Sequence, residues 1–298
     1  MTPNTGEANI HQSGDEEPEI TARFSRQELV RGWRIREAGP PSVVPVTRVG
    51  LKTDLGCVRE NNEDKAEYYE PDDPITLSTR GSLYIVADGM GGHAAGQIAA
   101  ELAIKRLMSE YYDGSAEDAT RALLDGFVAA NEHVRSVARA IPARAGMGTT
   151  LTAIALIEDR AIICHVGDSR AYLLRDGAVS QISEEHSWVA EQVRAGTMSA
   201  EEAEASPYRN VITRCIGPLD ELSPDIQAVQ SRTGDRWLLC TDGLTGHVSD
   251  AEILNVTADV PPSEACRRLV ELACARGGRD NVTVLIVDIT DLRRFASN

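Results

Sequence analysis

The chain has 298 residues, of which 42% are hydrophobic, 26% charged and 4% aromatic, and its formal net charge is −16. This apolar content is enough for a packed core, so a generally disordered chain is excluded. The negative charge argues against a general nucleic-acid binder and against attraction to an anionic membrane, because both need a positively charged face. No apolar run approaches the ~18 residues of a membrane span, and the polar start lacks a signal-peptide core. We therefore expect a cytoplasmic monomer without a nucleic-acid or membrane partner.

Composition divides the chain into three parts. Residues 1–42 are polar and rich in proline at their end, and we expect a largely disordered N-terminal extension there. An alternative is that residues 23–37, which carry five arginines, form a basic amphipathic helix that docks on the acidic body or on a partner. Residues 43–292 are predicted to form the folded domain, and residues 293–298 a short tail. No two of the six cysteines form a C-x-x-C pair, so a zinc site is not indicated and we expect reduced thiols.

Hydrophobic patterning predicts short strands and two long helices. Apolar or β-branched runs predict strands at residues 83–87, 151–157, 161–166, 170–174, 237–240 and 282–289. Turn signals lie at residues 158–160 and 176–177. Helical spacing predicts a helix over residues 97–112 and a second one after a capping box formed by Ser115 and Asp118. Hairpins with helices between them indicate an α+β fold with antiparallel sheets.

Acidic residues stand where the predicted strands end. Asp88 and Asp242 each follow an apolar strand and precede glycine, Asp280 precedes the last strand, and Glu63 and Asp64 precede an acidic loop. Each one alone is typical of a turn, since Asp-Gly is common turn chemistry. If they converge, five carboxylates in one cleft cannot all stay ionised without cations. An all-oxygen ligand set favours two Mg²⁺ or Mn²⁺ ions, and a two-metal site of this kind suits phosphate-ester hydrolysis.

Arg59 lies four residues before Glu63. A guanidinium group can hold two phosphate oxygens in its planar fork, so Arg59 is a candidate for binding a substrate phosphate. Without the acidic cluster nearby, an exposed turn arginine in a loose ion pair is the simpler interpretation.

Six motifs in order resemble the PPM-type metal-dependent Ser/Thr protein phosphatases, the protein phosphatase 2C family, in their bacterial form. They are Thr-Asp-x-Gly-x-x-Arg-x-x-Asn-Glu-Asp ending at residue 64, Val-Ala-Asp-Gly-Met-Gly-Gly-His at 86–93, Met-Gly-Thr-Thr at 147–150, His-Val-Gly-Asp-Ser-Arg-Ala-Tyr at 165–172, Leu-Leu-Cys-Thr-Asp-Gly-Leu at 238–244 and Gly-Gly-Arg-Asp-Asn-Val-Thr at 277–283. The resemblance covers about four-fifths of the chain. It implies a central β-sandwich of two antiparallel sheets, flanked by antiparallel helices, with a dinuclear metal site at one end.

The resemblance also implies a role for each matching residue. Asp88 would bridge two Mn²⁺ or Mg²⁺ ions, Asp242 and Asp280 would be further ligands, and the backbone carbonyl of Gly89 would complete the coordination. Glu63 and Asp64 would act mainly through bound water, and Arg59 would hold the substrate phosphate.

Asp168 matches an aspartate that, together with the counterpart of Asp242, holds a third and weaker metal in bacterial relatives. A turn residue that caps the following strand is an equal alternative for Asp168. Thr149 and Thr150 resemble packing residues next to the metal ligands.

The chain departs from the family pattern at two places, Met90 and the pair Glu185-His186. Eukaryotic relatives carry a histidine where this chain has Met90, so water, or less plausibly His93, would protonate the leaving group. Glu185-His186 replaces an Asp-His pair and is interpreted as structural. Residues 187–214 correspond to a flap near the active site.

The implied activity is hydrolysis of phosphoserine and phosphothreonine on proteins by a metal-bridging hydroxide that attacks in line, without a phosphoenzyme. Phosphorylated proteins would be the substrates, and a cognate Ser/Thr kinase would be a partner. One alternative is a non-catalytic relative that binds phosphoproteins or senses a signal. The other is a dinucleotide-binding enzyme, because residues 89–94 fit a loose G-x-G-x-x-G/A pattern with Glu110 about 20 residues further on.

Overall fold

The computed structural model of the chain describes residues 41–91 and 94–294. The predicted helix at residues 23–37, His93 and residues 295–298 lie outside the described residues. Within them, no helix is long and apolar enough to span a bilayer.

Two five-stranded antiparallel sheets form the centre of the domain. The first sheet has the strand order β1-β12-β11-β8-β9, and the second has the order β10-β7-β6-β3-β2. The strands are β1 Val43–Asp54, β2 Lys65–Tyr69, β3 Ser82–Ala87, β4 Gly89–Met90, β5 Gly148–Thr149, β6 Leu151–Ile157, β7 Arg160–Val166, β8 Arg170–Arg175, β9 Ala178–Gln181, β10 Asp225–Gln230, β11 Arg236–Cys240 and β12 Val282–Arg294. The short strands β4 and β5 pair separately, beside the end of β3.

Helices cover the outer face of each sheet. The α-helices of the described residues are α1 Pro74–Thr79, α2 Ala94–Asp113, α3 Ala119–Ala140, α4 Trp188–Arg194, α5 Ala200–Ala205, α6 Asp242–Thr245, α7 Asp250–Thr257 and α8 Pro262–Ala275. The long helices α2 and α3 pack on each other and on the second sheet, whereas α7 and α8 pack on the first sheet.

The buried apolar residues form three layers, one between the two sheets and one between each sheet and its helices. The last strand contributes to two of them. Along β12, Val284 and Ile286 point to the layer under α8, whereas Leu285 and Val287 point to the layer between the sheets. This alternation follows from the two-residue period of a strand. The fully buried Trp237 of β11 is the largest side chain in the layer between the sheets. The sandwich of two antiparallel sheets flanked by helices confirms the predicted fold class.

The predicted strands all occur, and their bounds differ by one residue or less except in β12, which continues to Arg294. Both predicted turns are hairpin loops. Glu158 has φ 50° between β6 and β7, and Asp176 and Gly177 have φ 53° and 74° between β8 and β9.

The capping prediction was wrong in one detail. Helix α3 begins after Asp118, whose side chain accepts a hydrogen bond from the Arg121 amide at 2.9 Å, so Asp118 and not Ser115 is the N-cap. An aspartate directly before the first helical residue satisfies a free amide with a full negative charge.

The dinucleotide alternative does not fit this topology. Glu110 lies inside helix α2, and the neighbours of β3, namely β2 and β6, are both antiparallel to it. A dinucleotide-binding unit needs a parallel second strand ending at that acid.

Candidate metal centre

Asp88 is held at the end of β3 by two threonines. Its amide donates to the Thr150 hydroxyl at 2.8 Å, and its carbonyl accepts from the Thr150 amide at 2.9 Å and the Thr149 hydroxyl at 2.8 Å. Thr150 and Thr149 are fully buried, as expected for packing residues beside the site. Both backbone polar groups of Asp88 are thereby used, which fixes the position of its side chain at the end of β3.

Asp64 lies beneath the cleft and is only 2% exposed. Its Oδ2 atom accepts hydrogen bonds at 2.8 Å from the hydroxyls of Thr241 and Thr283. Thr241 follows β11 and Thr283 lies on β12, so two neighbouring strands fix this carboxylate. The same Thr241 is the N-cap of helix α6, whose first residue is Asp242.

Asp242 and Asp168 each carry a buried carboxylate oxygen, Oδ1, that has no hydrogen-bond partner within the described part of the chain. A hydrogen bond joins Asp242 to Asp88. Burying a carboxylate oxygen without a partner costs free energy, and such groups occur where a ligand or an ion completes them. The unpaired oxygen of Asp168 favours the ion-binding alternative over the capping alternative for this residue.

Asp280 and Arg59 close one side of the cleft. The Nη2 atom of Arg59 lies 2.7 Å from Oδ2 of Asp280, and both side chains are partly exposed. The guanidinium group also lies close enough to Glu63 and Asp88 for their charges to raise its pKa, after the larger effect of the hydrogen bond to Asp280.

Glu63 and Gly89 meet helix α2 at very short range. A Cβ atom on Gly89 would lie 2.2 Å from the Gly96 carbonyl oxygen and 2.7 Å from that of Glu63. A Cβ atom on Gly96 would lie 2.1 Å from Oε2 of Glu63. Both positions therefore require glycine, which brings the Gly89 backbone and the Glu63 side chain next to each other.

The pKa values show that these carboxyl groups share one electrostatic environment. Burial, opposed by the two threonine hydrogen bonds and reinforced by the charges of Asp242 and Asp280, raises the pKa of Asp64 to about 7. Burial and then the charge of Asp280 raise the pKa of Asp242 to about 6. Burial and neighbouring carboxylates also raise the pKa values of Asp88 and Asp168 well above the usual range. Carboxyl groups that raise one another's pKa are close neighbours.

The cluster fits hard divalent cations by its chemistry. Its donors are carboxylate oxygens and a glycine carbonyl, which suit Mg²⁺ and Mn²⁺. Among residues 41–91 and 94–294, no three acidic, histidine or cysteine side chains are already arranged as a metal-binding group. Asp88 and Asp242 instead bond to each other.

Several residues that position the site were not identified from sequence as doing so. Asn281 donates from Nδ2 to the carbonyls of Leu55 and Asn61, at 2.9 and 3.0 Å, and accepts from the Glu63 amide at 2.8 Å. It thus ties the loop of Arg59 to the last strand. The signal available for Asn281 was its place directly after Asp280.

Glu185 also bears on the site. It pairs with Arg170 at 2.8 Å, and its charge contributes to the raised pKa values of Asp168 and Asp242. The neighbouring His186 is fully buried and accepts from the Gly167 amide at 3.2 Å, as expected for a structural residue.

A cleft of about 840 Å³ is lined by Asp168 and Asp242 of the cluster and by side chains from α4 and α5. The segment at residues 187–214 therefore borders the site, and the opening beside it is large enough for a peptide side chain.

Comparison with known proteins agrees with this architecture. The sequence profile described as Protein phosphatase 2C matches residues 63–275. The Ser/Thr protein phosphatase PstP of Mycobacterium tuberculosis is 39% identical over 249 residues, covering 84% of this chain and 46% of that protein. The chain thus spans about half the length of PstP. The protein phosphatase PhpP of Streptococcus pneumoniae is 38% identical over 248 residues, covering 82% of this chain and 98% of PhpP.

Solved structures of Ser/Thr phosphatases are also similar to this chain. The crystal structure of M. tuberculosis PstP has a TM-score of 0.74 at 39% identity, covering 83% of this chain and 100% of that one. The PstP catalytic domain solved with two manganese ions has a TM-score of 0.72 at 38% identity, covering 84% and 100%. Stp1 of Staphylococcus aureus has a TM-score of 0.75 at 30% identity, covering 85% and 99%. With its two-sheet sandwich and its cluster of carboxylates beside an arginine, the chain belongs to the protein phosphatase 2C family.

Proposed function

We propose that the protein is a metal-dependent protein-serine/threonine phosphatase, which hydrolyses phosphoserine and phosphothreonine on proteins with two Mn²⁺ or Mg²⁺ ions. The observation that carries the proposal is the convergence of buried carboxyl groups with raised pKa values beside Arg59. The manganese ions of the PstP catalytic domain support the choice of metal.

Each site residue has a proposed role. Asp88, Asp242, Asp280 and the Gly89 carbonyl would bind the two ions, and Glu63 and Asp64 would hold water molecules around them. Asp168 and Asp242 would bind a third ion, since each has an unpartnered buried oxygen. When bound, divalent cations lower the pKa of a water molecule and neutralise charge on the phosphate oxygens.

Arg59 would bind the substrate phosphate. Its guanidinium group is half exposed at the rim and already engages an anionic group, the Asp280 carboxylate. A phosphate group can accept two parallel hydrogen bonds from the same fork. Arg59 would thereby orient the phosphorus atom for in-line attack by water, and no protein nucleophile is needed. Since Met90 has no proton to donate, the leaving alkoxide would take its proton from water.

The test is a metal-dependence assay with p-nitrophenyl phosphate, followed by a phosphothreonine peptide. Asp242→Asn keeps the side-chain shape and removes the charge, and kcat should fall by about 100-fold or more in Mn²⁺ buffer. Asp259→Asn is the matched control, because Asp259 is exposed, lies at φ 54° and tolerates asparagine. Near-wild-type turnover by Asp242→Asn, with an unchanged melting curve, would contradict the assignment.

The same assay separates the second candidate, a non-catalytic phosphoprotein-binding or sensing relative. Metal-independent binding of the phosphopeptide without turnover would favour that candidate. The catalytic candidate is supported by the carboxylates that the chain carries. It is also supported by the glycines at positions 89 and 96, which allow the close packing around the proposed metal ligands.

The protein's wider setting is also proposed. We infer a signalling role for a cytoplasmic monomer that acts on phosphoproteins and is paired with a cognate Ser/Thr kinase. Co-purification of a kinase with the full chain tests the kinase partner. The mass of the chain by light scattering tests the monomeric state.

A further inference from the structure

Two cysteines meet at the rim of the site. Cys57 follows β1 in the loop that carries Arg59, and Cys274 lies in the last turn of α8. The thiol of Cys57 donates to the Cys274 carbonyl oxygen at 3.5 Å. The Cys57 thiol also lies close enough to Cys274 to contribute, after burial and the charge of Asp54, to raising the pKa of Cys274. These residues are 217 positions apart in the sequence, so only the fold brings them together.

Gly278 lets the two cysteines approach each other closely. Both cysteines pack against Gly278, where a Cβ atom would lie 3.0 Å from the Cys57 sulfur and 3.1 Å from the Cys274 α-carbon. The Cys57 amide also donates to the Gly278 carbonyl at 2.7 Å, which fixes the approach of the two backbones. A disulfide requires α-carbons about 4.4–6.8 Å apart and sulfurs that can turn towards each other. Both residues contact one glycine, and the Cys57 sulfur lies 3.5 Å from the Cys274 carbonyl oxygen, so the two backbones are close neighbours and a turn of the side chains would bring the sulfurs together.

The two thiols differ in their surroundings. Cys57 is exposed, whereas Cys274 is partly covered, and its thiol lies 3.8 Å from the Asp54 carboxylate. Burial, then the negative charge of Asp54, raises the pKa of Cys274 and disfavours its thiolate. The other four thiols are buried. An oxidant in solution therefore reaches Cys57 first, and Cys274 is placed to react second.

We propose that Cys57 and Cys274 are a redox pair that forms a reversible disulfide with low-molecular-weight disulfides such as oxidised glutathione. The Cys57 thiolate attacks one glutathione sulfur, the glutathione disulfide bond breaks, and one glutathione thiolate leaves. The Cys274 thiolate then attacks the Cys57 sulfur and releases the second glutathione thiolate. The protein dithiol is oxidised to a disulfide, and one oxidised glutathione is reduced to two glutathione thiolates, which take up the two protons that the protein thiols lose through solvent.

The disulfide would join the two loops that hold Arg59 and Asp280. Cys57 lies two residues before Arg59, and Gly278 lies two residues before Asp280. Arg59 already donates to Asp280 at 2.7 Å, and a covalent link beside this pair holds the guanidinium group on that carboxylate. Oxidation then raises KM by making Arg59 less available to the substrate phosphate, a consequence that rests on the proposed function. The disulfide itself does not depend on that function.

Thiol counting on the full chain tests the site. The reduced protein is incubated with oxidised glutathione, freed of excess reagent, unfolded, alkylated and analysed by intact and peptide mass spectrometry. We expect loss of two of the six alkylated thiols, a peptide linking Cys57 to Cys274, and complete reversal by dithiothreitol. Because the link closes a long loop, the melting temperature should rise by about 5 °C or more. Six free thiols, a link between other cysteines, or glutathione that stays on Cys57 of the wild-type chain would overturn the proposal.

Two variants test the order of the two steps, in which Cys57 reacts with oxidised glutathione first and Cys274 attacks second. Cys274→Ser should keep a stable glutathione adduct on Cys57, whereas Cys57→Ser should show neither adduct nor link. A KM for p-nitrophenyl phosphate that rises about threefold or more on oxidation, with little change in kcat, supports the effect on Arg59, and the Cys57→Ser variant should not respond. An unchanged KM in fully oxidised wild-type protein would refute that effect. A reduced protein without any turnover would refute the proposed function and leave the thiol result to stand by itself.

Discussion

Replacing Asp64 by asparagine should stabilise the metal-free protein at alkaline pH. Folding raises the pKa of this buried carboxyl group from 3.8 to about 7. The native state therefore holds the proton more tightly than the unfolded chain, and ionisation of Asp64 destabilises the native state over a defined pH window. Below pH 4 both states are protonated and Asp64 costs nothing. Between pH 4 and 7 its ionisation increasingly opposes folding, and above pH 7 the cost is complete.

The size of this cost follows from the pKa shift. A shift of about three units at ~1.4 kcal/mol per unit gives about 4 kcal/mol against folding at pH 8. This is an upper bound for the gain from Asp64→Asn, because the neighbouring Asp88 and Asp242 adjust their own protonation when one charge is removed. The asparagine amide can still bond to Thr241 and Thr283, so shape and packing are kept.

Urea unfolding in EDTA, from pH 5 to pH 8.5, measures the effect. The wild-type free energy of unfolding should fall relative to that of Asp64→Asn as the pH rises from 5 to about 7, and the difference should level off above pH 7. Mn²⁺ should reduce or reverse the difference, since divalent cations relieve the repulsion only where the carboxylate is present. The exposed control Asp259→Asn should show no pH-dependent difference. Parallel pH curves for wild type and Asp64→Asn would refute the electrostatic reasoning.

Three further changes test the site. Arg59→Lys should raise KM for p-nitrophenyl phosphate about tenfold, because an ammonium group lacks the planar fork, and an unchanged KM would exclude Arg59 from phosphate binding. Asn281→Ala removes three hydrogen bonds and should lower the free energy of unfolding by about 2 kcal/mol in a urea titration, together with kcat. Gly89→Ala places a methyl group 2.2 Å from the Gly96 carbonyl oxygen and should cost about 1–3 kcal/mol and most of the Mn²⁺ affinity measured by calorimetry, whereas normal affinity would show that the backbone there is free to shift.

The interior of the sandwich was predictable from sequence, and its edges were not. Strands β3, β6, β7, β8 and β11 are covered on both faces or nearly so, and their apolar runs predict them within a residue. In the two five-stranded sheets, the strands that were missed are β1, β2, β9 and β10, and each of them ends the strand order of its sheet. The two-residue strands β4 and β5 were missed as well. An edge strand packs on one side only and carries polar residues, so its pattern gives little signal.

The end of β12 shows the same limit within one strand. Residues 282–289 alternate between two apolar layers and were predicted, whereas the polar continuation to Arg294 exists because it pairs with β1. A register shift between Val46 and Thr47 allows this pairing to continue. Pairing with a distant strand leaves no local pattern, so the sequence offers no sign of where this strand ends.

For the site, sequence indicated the charged residues but not what makes their positions possible. Acidic residues stand out beside apolar strands, and the glycines next to them mark close backbone approach, so Asp88, Asp242 and Asp280 could be proposed directly. The threonines under Asp64 and the amide of Asn281 are ordinary polar residues, whose importance depends on contacts across more than 170 positions. These neutral groups hold the carboxylates together against their mutual repulsion in the absence of metal. Burial first, and then the charges of neighbouring carboxylates, raises the pKa values of Asp64 and Asp242, and divalent cations would offset both costs on binding.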